Sequence, residues 1–343
     1  MSFIKLFRRK THKALFTTPS HSQSFCIFSK FRQFYKFDIS ETETHNPEKA
    51  LLEAQKKASK IYGTKQTLFL TNGSSSGIIA AVLALAKTGD NVLVWYNAHP
   101  CHKNAVELAG ATPIYYELPF NQEWGIPDKV QLETIEKSLK NGAKALIVTS
   151  PTYEGIVSDI KSIKELCKKY NTYLIVDEAH GALYPFSNEL PESAIKYADI
   201  VVQSLHKTAG GLNPTALIHS NIDIDLNPSL AKITTTSPSY PLLATIEANI
   251  NYLNSKKGKS KISELIQNIR DLHKNCPNIT FGGDDITKIL IKHPNYSGEE
   301  LSSLLFEEDI EDEKTNNKST MLLCGLGTSS KKLKKLANVL RKL

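Results

Sequence analysis

The sequence predicts an α/β protein: a mostly parallel, seven-stranded sheet with helices on both faces, followed by a small C-terminal α/β unit. Two observations lead there. Seven short apolar runs between residues 66 and 219 alternate with segments of helical periodicity, and strands alternating with helices build parallel sheets covered on both faces. After residue 220 long helical patterns take over, with only two further apolar runs. The expected division is a basic N-terminal segment (1–45), a large domain (46–240), and a linking helix with a small domain (241–343).

Taken in order, residues 47–62 read as a helix, with Pro47 in the first turn, Ala50, Leu51, Ala54, Ala58 and Ile61 at helical spacing, and Gly63 as its stop. A strand at 66–71 runs into Asn72-Gly-Ser-Ser-Ser-Gly77, which opens an apolar helix over 78–86. Strands follow at 91–95, 112–116, 144–149, 172–176, 199–203 and 215–219, with helices through Leu108 and over 128–140 and 159–169 between them. Beyond these, a helix is expected at about 241–256, a Lys/Gly/Ser-rich surface loop at 254–261, and a second helix at 262–273. Strands at 287–291 and 321–324 and a basic terminal helix at 329–342 complete the chain. The acidic run 307–313 reads as a solvated loop, and Lys331, Lys332, Lys334 and Lys335 as a solvated helix face.

Composition narrows the function classes. With 343 residues, 41% hydrophobic and 22% charged, the chain is an ordinary globular sequence long enough for one large domain and a small one. No apolar run approaches the ~20 residues of a membrane-spanning helix. The net charge of +7 comes from lysines spread along the chain, without a nucleic-acid-binding motif, so neither nucleic acid nor membrane is expected as a partner. Cys26, Cys101, Cys167, Cys276 and Cys324 are odd in number and lack CxxC spacing, which suggests reduced thiols and no metal site; Cys101 is read as a packing residue. Residues 1–37 hold no Asp or Glu and are dense in basic side chains. That composition is shared with organelle transit peptides, but it lacks the apolar core of a secretory signal, and the expected location is cytoplasmic.

Chemistry gathers just beyond the strands. Open α/β sheets hold ligands at the carboxyl ends of their strands, and polar clusters sit there: Gly73-Ser74-Ser75, His99, Asp177 with His180, and Ser204-Leu-His206-Lys207. A Gly/Ser loop opening a helix offers free amides, hydroxyls and the positive end of the helix dipole to a phosphate; it is equally a well-capped helix start. Asp177 suits a buried cation and is also a natural N-cap. His99 offers a flat ring, and Lys207 an amine for an imine. Together these are the parts that hold pyridoxal phosphate, whose protein signature is a Schiff-base lysine with an Asp on the pyridinium nitrogen.

With these residues in place the sequence resembles the Orn/Lys/Arg decarboxylases, within the fold type I (aspartate aminotransferase-like) pyridoxal-phosphate enzymes. The matching stretches are Asn72–Gly77, Asn97-Ala-His99, Ser150-Pro-Thr-Tyr-Glu-Gly155, Val176-Asp-Glu-Ala-His-Gly181, Gln203–Thr208 and Thr235–Tyr240, with Asp285-Ile-Thr-Lys288 as a further family element. The resemblance implies that Lys207 carries the cofactor, Asp177 pairs with its ring nitrogen and His99 stacks on the ring. It further implies that Ser74, Ser75, Ser204 and His206 hold the phosphate, that His180 lies near the ring hydroxyl, and that Thr236 reaches the phosphate of a neighbouring subunit in a homodimer. Two stretches depart from the family pattern, Pro19-Ser-His-Ser22 and His99-Pro-Cys101. The chain is also expected to lack the N-terminal wing and C-terminal domain of larger relatives. The implied activity is decarboxylation of lysine, ornithine or arginine. An aminotransferase or other lyase of the same fold, and a non-catalytic protein of that fold, remain open. The scarcity of arginine, with none between Arg32 and Arg270, favours the decarboxylase, since many aminotransferases clamp the substrate carboxylate with an arginine fork.

Overall fold

The computed structural model describes residues 2–10, 32–39 and 49–343. Its main sheet is made of β1 (Gln66–Leu70), β2 (Asn91–Trp95), β3 (Thr112–Tyr116), β6 (Ala145–Thr149), β7 (Tyr173–Asp177), β8 (Ile200–Ser204) and β9 (Ala216–Ser220). The hairpin β4 (Phe120–Asn121) and β5 (Ile126–Pro127) leaves the sheet after β3. The strand order is β1-β9-β8-β7-β6-β2-β3. The pairs β3–β2, β2–β6, β6–β7 and β7–β8 are parallel, and β9 runs antiparallel to both β8 and β1. The fold class read from the sequence therefore holds, with β9 as the reversed strand.

The central strands are apolar throughout because both faces are covered: Val92-Leu93, Ala145–Val148, Leu174–Val176 and Ile200–Val202 have no exposure. On one face lie the helices Gly73–Leu85 and Cys101–Leu108, packed through Ile78, Val82 and Ala105. On the other lie Lys49–Tyr62, Ile160–Lys169, Tyr240–Asn254 and Lys256–Asn275. The short N-terminal helix Phe3–Lys10 also docks here, with Phe3 and Leu6 fully buried and the Phe3 amide donating to Glu247 Oε2 at 2.9 Å. A second, antiparallel sheet has the order β10 (Thr280–Gly282), β11 (Lys288–Lys292), β13 (Thr320–Leu323), β12 (Lys314–Thr315).

One expectation is corrected. The surface loop expected at 254–261 is helix. Ser255 alone separates Tyr240–Asn254 from Lys256–Asn275, its side chain capping the second helix by accepting the Gly258 amide at 3.0 Å. Gly258 is needed for close approach rather than as a breaker: a Cβ there would lie 2.0 Å from the Tyr252 carbonyl oxygen. The acidic run 307–313 is, as expected, mostly exposed and irregular beyond the helix end at Glu307, with two of its side chains tied back. Asp312 accepts from the hydroxyls of Ser302, Thr315 and Thr320, and Glu313 accepts from the Tyr153 hydroxyl. Pro19–Ser22, Cys26 and Pro47 lie outside the described residues.

β1 runs in the same direction as β8 because β9 is antiparallel to both, so the carboxyl ends of β1, β2, β6, β7 and β8 share one edge. The helix Gly73–Leu85 starts at that edge and lies close to the sheet. A Cβ on Gly77 would stand 2.7 Å from Val202 Cγ1 and 2.8 Å from Leu70 Cδ1. Gly77→Val should therefore cost about 2 kcal/mol of stability through overpacking, read as a lowered urea midpoint with an unchanged slope.

Candidate active site

Asp177 ends β7 between Thr149 on β6 and Val202 on β8. It is 7% exposed, so its carboxylate needs partners. Oδ1 accepts the Ala179 amide at 3.1 Å, and Oδ2 lies 2.8 Å from His102 Nε2. His102 is fully buried in the helix that follows β2, and its Nδ1 has no partner. Burial alone would raise the Asp177 carboxyl. The His102 hydrogen bond and charge, the Lys207 ammonium and the Ala179 amide outweigh it and hold the group below the usual carboxylate range.

Lys207 lies in the short helix Leu205–Thr208, directly after β8. Its Nζ is 3.1 Å from His180 Nε2, in the turn after β7. Burial lowers the amine below an ordinary lysine; Asp177 and Cys101 oppose this and Lys288 adds to it. His180 is held well below the usual histidine value, first by burial and then by the charges of Lys207 and Lys288, so the ring is neutral and its Nε2 is free to accept from Lys207. Its ring meets that of Tyr153 edge-on, with centroids 4.8 Å apart.

At the start of the helix Gly73–Leu85, Gly73 takes a left-handed φ of +75° and its amide donates to Pro214 O at 2.8 Å. The next amides of the first turn lack intrahelical acceptors and face the anion-favouring end of the helix dipole, beside the hydroxyls of Ser74 and Ser75. His206 Nδ1 contacts Thr215 O at 3.1 Å.

Ser74, Ser75, His99, Asp177, His180, His206 and Lys207 all border one cavity of about 840 Å³. Ser204 and Thr236 do not. Ser204 is fully buried at the end of β8 with an unpartnered Oγ, and Thr236 is exposed on the loop before Tyr240–Asn254. Arg270 pairs with Glu189 on the surface at 2.5 Å, outside the cavity. Cys101, read as a packing residue, is buried but also borders the cavity. With His102 and Asp177 it places sulfur, nitrogen and oxygen donors within 4.8 Å of one another. Burial and the Asp177 charge push its thiol up to about 12, so the group is protonated at neutral pH.

The donor set suits pyridoxal phosphate: a phosphate-type helix start, a buried carboxylate held ionised, and a buried amine, around a space of the usual ligand size. Residues 8–295 match the major domain of Orn/Lys/Arg decarboxylases. The chain belongs to the Orn/Lys/Arg decarboxylase family. Its members are pyridoxal-phosphate-dependent amino-acid carboxy-lyases. The chain is 31% identical to the protein YaaO of Bacillus subtilis over 95% of its own length and 73% of that protein's. It is 33% identical to the arginine decarboxylase of the same organism over 68% of this chain, and spans 51% of that enzyme. Among solved structures, the constitutive lysine decarboxylase of Escherichia coli superposes with a TM-score of 0.85 at 20% identity, over 99% of this chain and 60% of that one. Serine palmitoyltransferase of Sphingomonas wittichii superposes at 0.68, with 15% identity over 89% of this chain and 78% of its own. Both share the fold type I architecture.

Several residues at the site carried no role in the sequence reading. His102 follows His99 by three positions and lies in the first turn of the helix Cys101–Leu108, but its partner lies 75 residues away. Tyr153 and Glu154 belonged to a matching stretch without an assigned function, and Glu313 and Lys314 fell in or beside a run taken as solvent-facing.

Replacing His102 by Leu leaves the buried carboxylate short of a partner. A depressed carboxyl contributes stability above its unfolded value, about 3.9, and loses it as pH falls through the folded value. His102→Leu should therefore cost about 1–3 kcal/mol at pH 7, with a deficit that shrinks below about pH 4; urea denaturation across pH checks both.

Proposed function

We propose that the protein decarboxylates a basic amino acid (lysine, ornithine or arginine) to the corresponding amine and carbon dioxide. The observation that carries this reading is the meeting of Lys207, Asp177 and the Ser74–Ser75 helix start in one cavity whose far wall carries carboxylates. Lys207 would hold pyridoxal phosphate through Nζ, and Asp177 would pair with its ring nitrogen. His99 would lie on the ring, Ser74, Ser75 and His206 would serve the phosphate, and His180 would face the ring hydroxyl; Ser204, buried behind the cavity, is left out of the phosphate set the resemblance implied. When bound, the cofactor supplies the electron sink for the pair left by the departing carboxylate.

The chain's own residues do the rest. Asp177, kept ionised by His102, holds a proton on its partner nitrogen. His180 Nε2 accepts from Lys207 Nζ, which gives a proton a path between them without bulk water. Beyond His180 lies the Tyr153 ring, and beyond that the Lys314 ammonium, 5.0 Å from the ring centroid and 2.5 Å from Glu154 Oε1. Glu154 is 4% exposed, and Glu313 accepts from the Tyr153 hydroxyl. This wall already holds one alkylammonium between an aromatic face and a carboxylate. The same chemistry would receive the distal cation of a basic substrate.

Two finer points belong to the proposal. The exposed Thr236 would reach the phosphate site of a second copy, making a homodimer with shared sites. The location would be cytoplasmic; among the described residues no helix is long and apolar enough to cross a membrane. Arg270 pairs with Glu189 on the surface, and among the described residues no arginine borders the cavity to clamp a substrate carboxylate as in many aminotransferases.

The test is product analysis by mass spectrometry of the full chain with pyridoxal phosphate and lysine, ornithine or arginine in turn. The expected product is an amine lighter by carbon dioxide, absent with Lys207→Ala. A keto acid that forms only with an acceptor present would make the protein an aminotransferase, and no product at all would favour a non-catalytic role. For the accepted substrate, Glu154→Gln should raise KM about tenfold, the value of one charge-assisted contact, with kcat little changed; an unmoved KM would place the distal cation elsewhere.

A further inference from the structure

Behind His180, on the side away from the cavity, lies a pair of opposite charges with no solvent exposure. Lys288 Nζ donates to Asp285 Oδ2 at 2.9 Å, to Thr287 Oγ1 at 3.1 Å and to the His180 carbonyl at 3.4 Å. Asp285 also accepts from the Tyr184 hydroxyl at 2.8 Å and from the Thr287 hydroxyl and amide at 2.7 and 2.9 Å. Burying two ions costs several kcal/mol each before pairing, and similar frames are built with apolar side chains. The position explains what the charges do. Lys288 comes from the start of β11, yet it holds a carbonyl of the turn after β7, whose ring contacts the reactive amine. The Lys288 stem runs over Gly155, where a Cβ would stand 2.7 Å from Lys288 Cγ. The Asp284 and Asp285 amides donate to Gly155 O at 3.0 and 3.1 Å, so the cluster also pins the loop that carries Tyr153 and Glu154.

We propose that Lys288, paired with Asp285, is a positioning residue for Lys207: it fixes the His180 turn by its carbonyl and sets the positive charge that the amine faces. The dipole of the pair is oriented for this, with its ammonium on the His180 side and its carboxylate toward Tyr184. A lysine whose amine must be nucleophilic near neutral pH is activated by burial and by a neighbouring cation. The other groups facing Lys207 are Asp177 from β7, Cys101 from the helix after β2, His99 just before that helix, His180 at contact, and Glu313 from the segment before β12. Those facing His180 are Lys207, Lys288, Asp177 and His206. Lys288 is the cation that acts on both Lys207 and His180 without bordering the cavity. The inference rests on Lys207 being the reactive amine, and its test reads that amine directly rather than turnover.

The full chain, with cofactor dialysed out, is labelled at a series of pH values with limiting acetic anhydride, and acetylation of Lys207 is followed by peptide mass spectrometry. A parallel series follows the visible absorbance of the pyridoxal-phosphate-loaded chain against pH. Lys288→Met should raise the midpoint of Lys207 labelling by about one pH unit, the effect of one nearby charge at an intermediate dielectric, and the absorbance midpoint should move the same way. Tyr184→Phe removes a hydrogen bond from the same cluster but no charge, and should lower the melting temperature with both midpoints unmoved. Should Lys288→Met fail to fold, the double variant Lys288→Met/Asp285→Asn buries no charge, a replacement that folds tolerate, and should raise the midpoint by less than the full unit. Unmoved midpoints in the Lys288 variants, or an equal shift with Tyr184→Phe, would overturn the proposal and leave the pair a purely structural tie. Loss of decarboxylase activity in the wild type would not bear on it, because neither series depends on the reaction catalysed.

Discussion

The buried carboxylate of Asp177 is the constraint on which the arrangement depends. An ionised carboxylate at the end of a central strand is costly unless donors surround it. None of its neighbours along β7 can serve, because Leu174-Ile175-Val176 is committed to the two cores. The partners come instead from the segments that leave the strands: a hydrogen bond from His102 in the helix after β2, the positive charge of Lys207 in the short helix after β8, and the amide of Ala179 from the turn after β7 itself. Parallel pairing makes this possible. It sets the carboxyl ends of β2, β6, β7 and β8 on one edge, so residues distant in sequence meet around one atom group. An antiparallel sheet of the same strands would send every second donor to the opposite edge.

A second layer of polar contacts holds that group in place. His180 stands between Lys207 and the buried ions of the segment before β11, and Tyr153 stands between His180 and the carboxylates of the far wall. Each step joins the main sheet to residues of the second one, through backbone groups as well as side chains. Gly155 is a tight point of this layer. Its left-handed φ of +90° and the 2.7 Å that a Cβ would leave to Lys288 both require glycine, and its carbonyl receives two amides from 284–285. The loop that shapes the distal wall is thus anchored at its base by backbone bonds and at Tyr153 and Glu154 by side-chain contacts with Glu313 and Lys314.

What the sequence made legible follows from the range of the interactions. Apolar runs and helical spacing are local, so the seven strands and most helix positions could be read within a residue or two, and polar clusters at strand ends could be assigned to one edge. Contacts set by distant partners could not be read. Gly258 has the local signature of a break, yet its role is to let its own helix approach the Tyr252 carbonyl. Glu313 sits in a run of acids that resembles solvated surface, and its partner Tyr153 is 160 residues away. The two-residue strand β12 has no pattern of its own; pairing with β13 makes it a strand. At the site, His102 lay one position past a stretch that had departed from the family pattern, so nothing drew attention to it.

The division of labour between the two sheets bears on how substrate choice can vary in such a site. The groups proposed to hold the cofactor stand on the rigid edge of the main sheet, where a shift of Asp177 would unsettle its donors together. The groups proposed to meet the substrate's distal end stand on the loop after β6 and on the short edge strand β12, whose bonds to the rest of the molecule are few and mostly made by side chains. Substitutions at Glu154, Glu313 or Lys314 change charge and reach at the far wall without touching the Asp177–His102 contact. A frame of this kind keeps one chemistry while admitting amino acids that differ only beyond the third side-chain carbon. That matches a family whose members are named for arginine, ornithine and lysine alike.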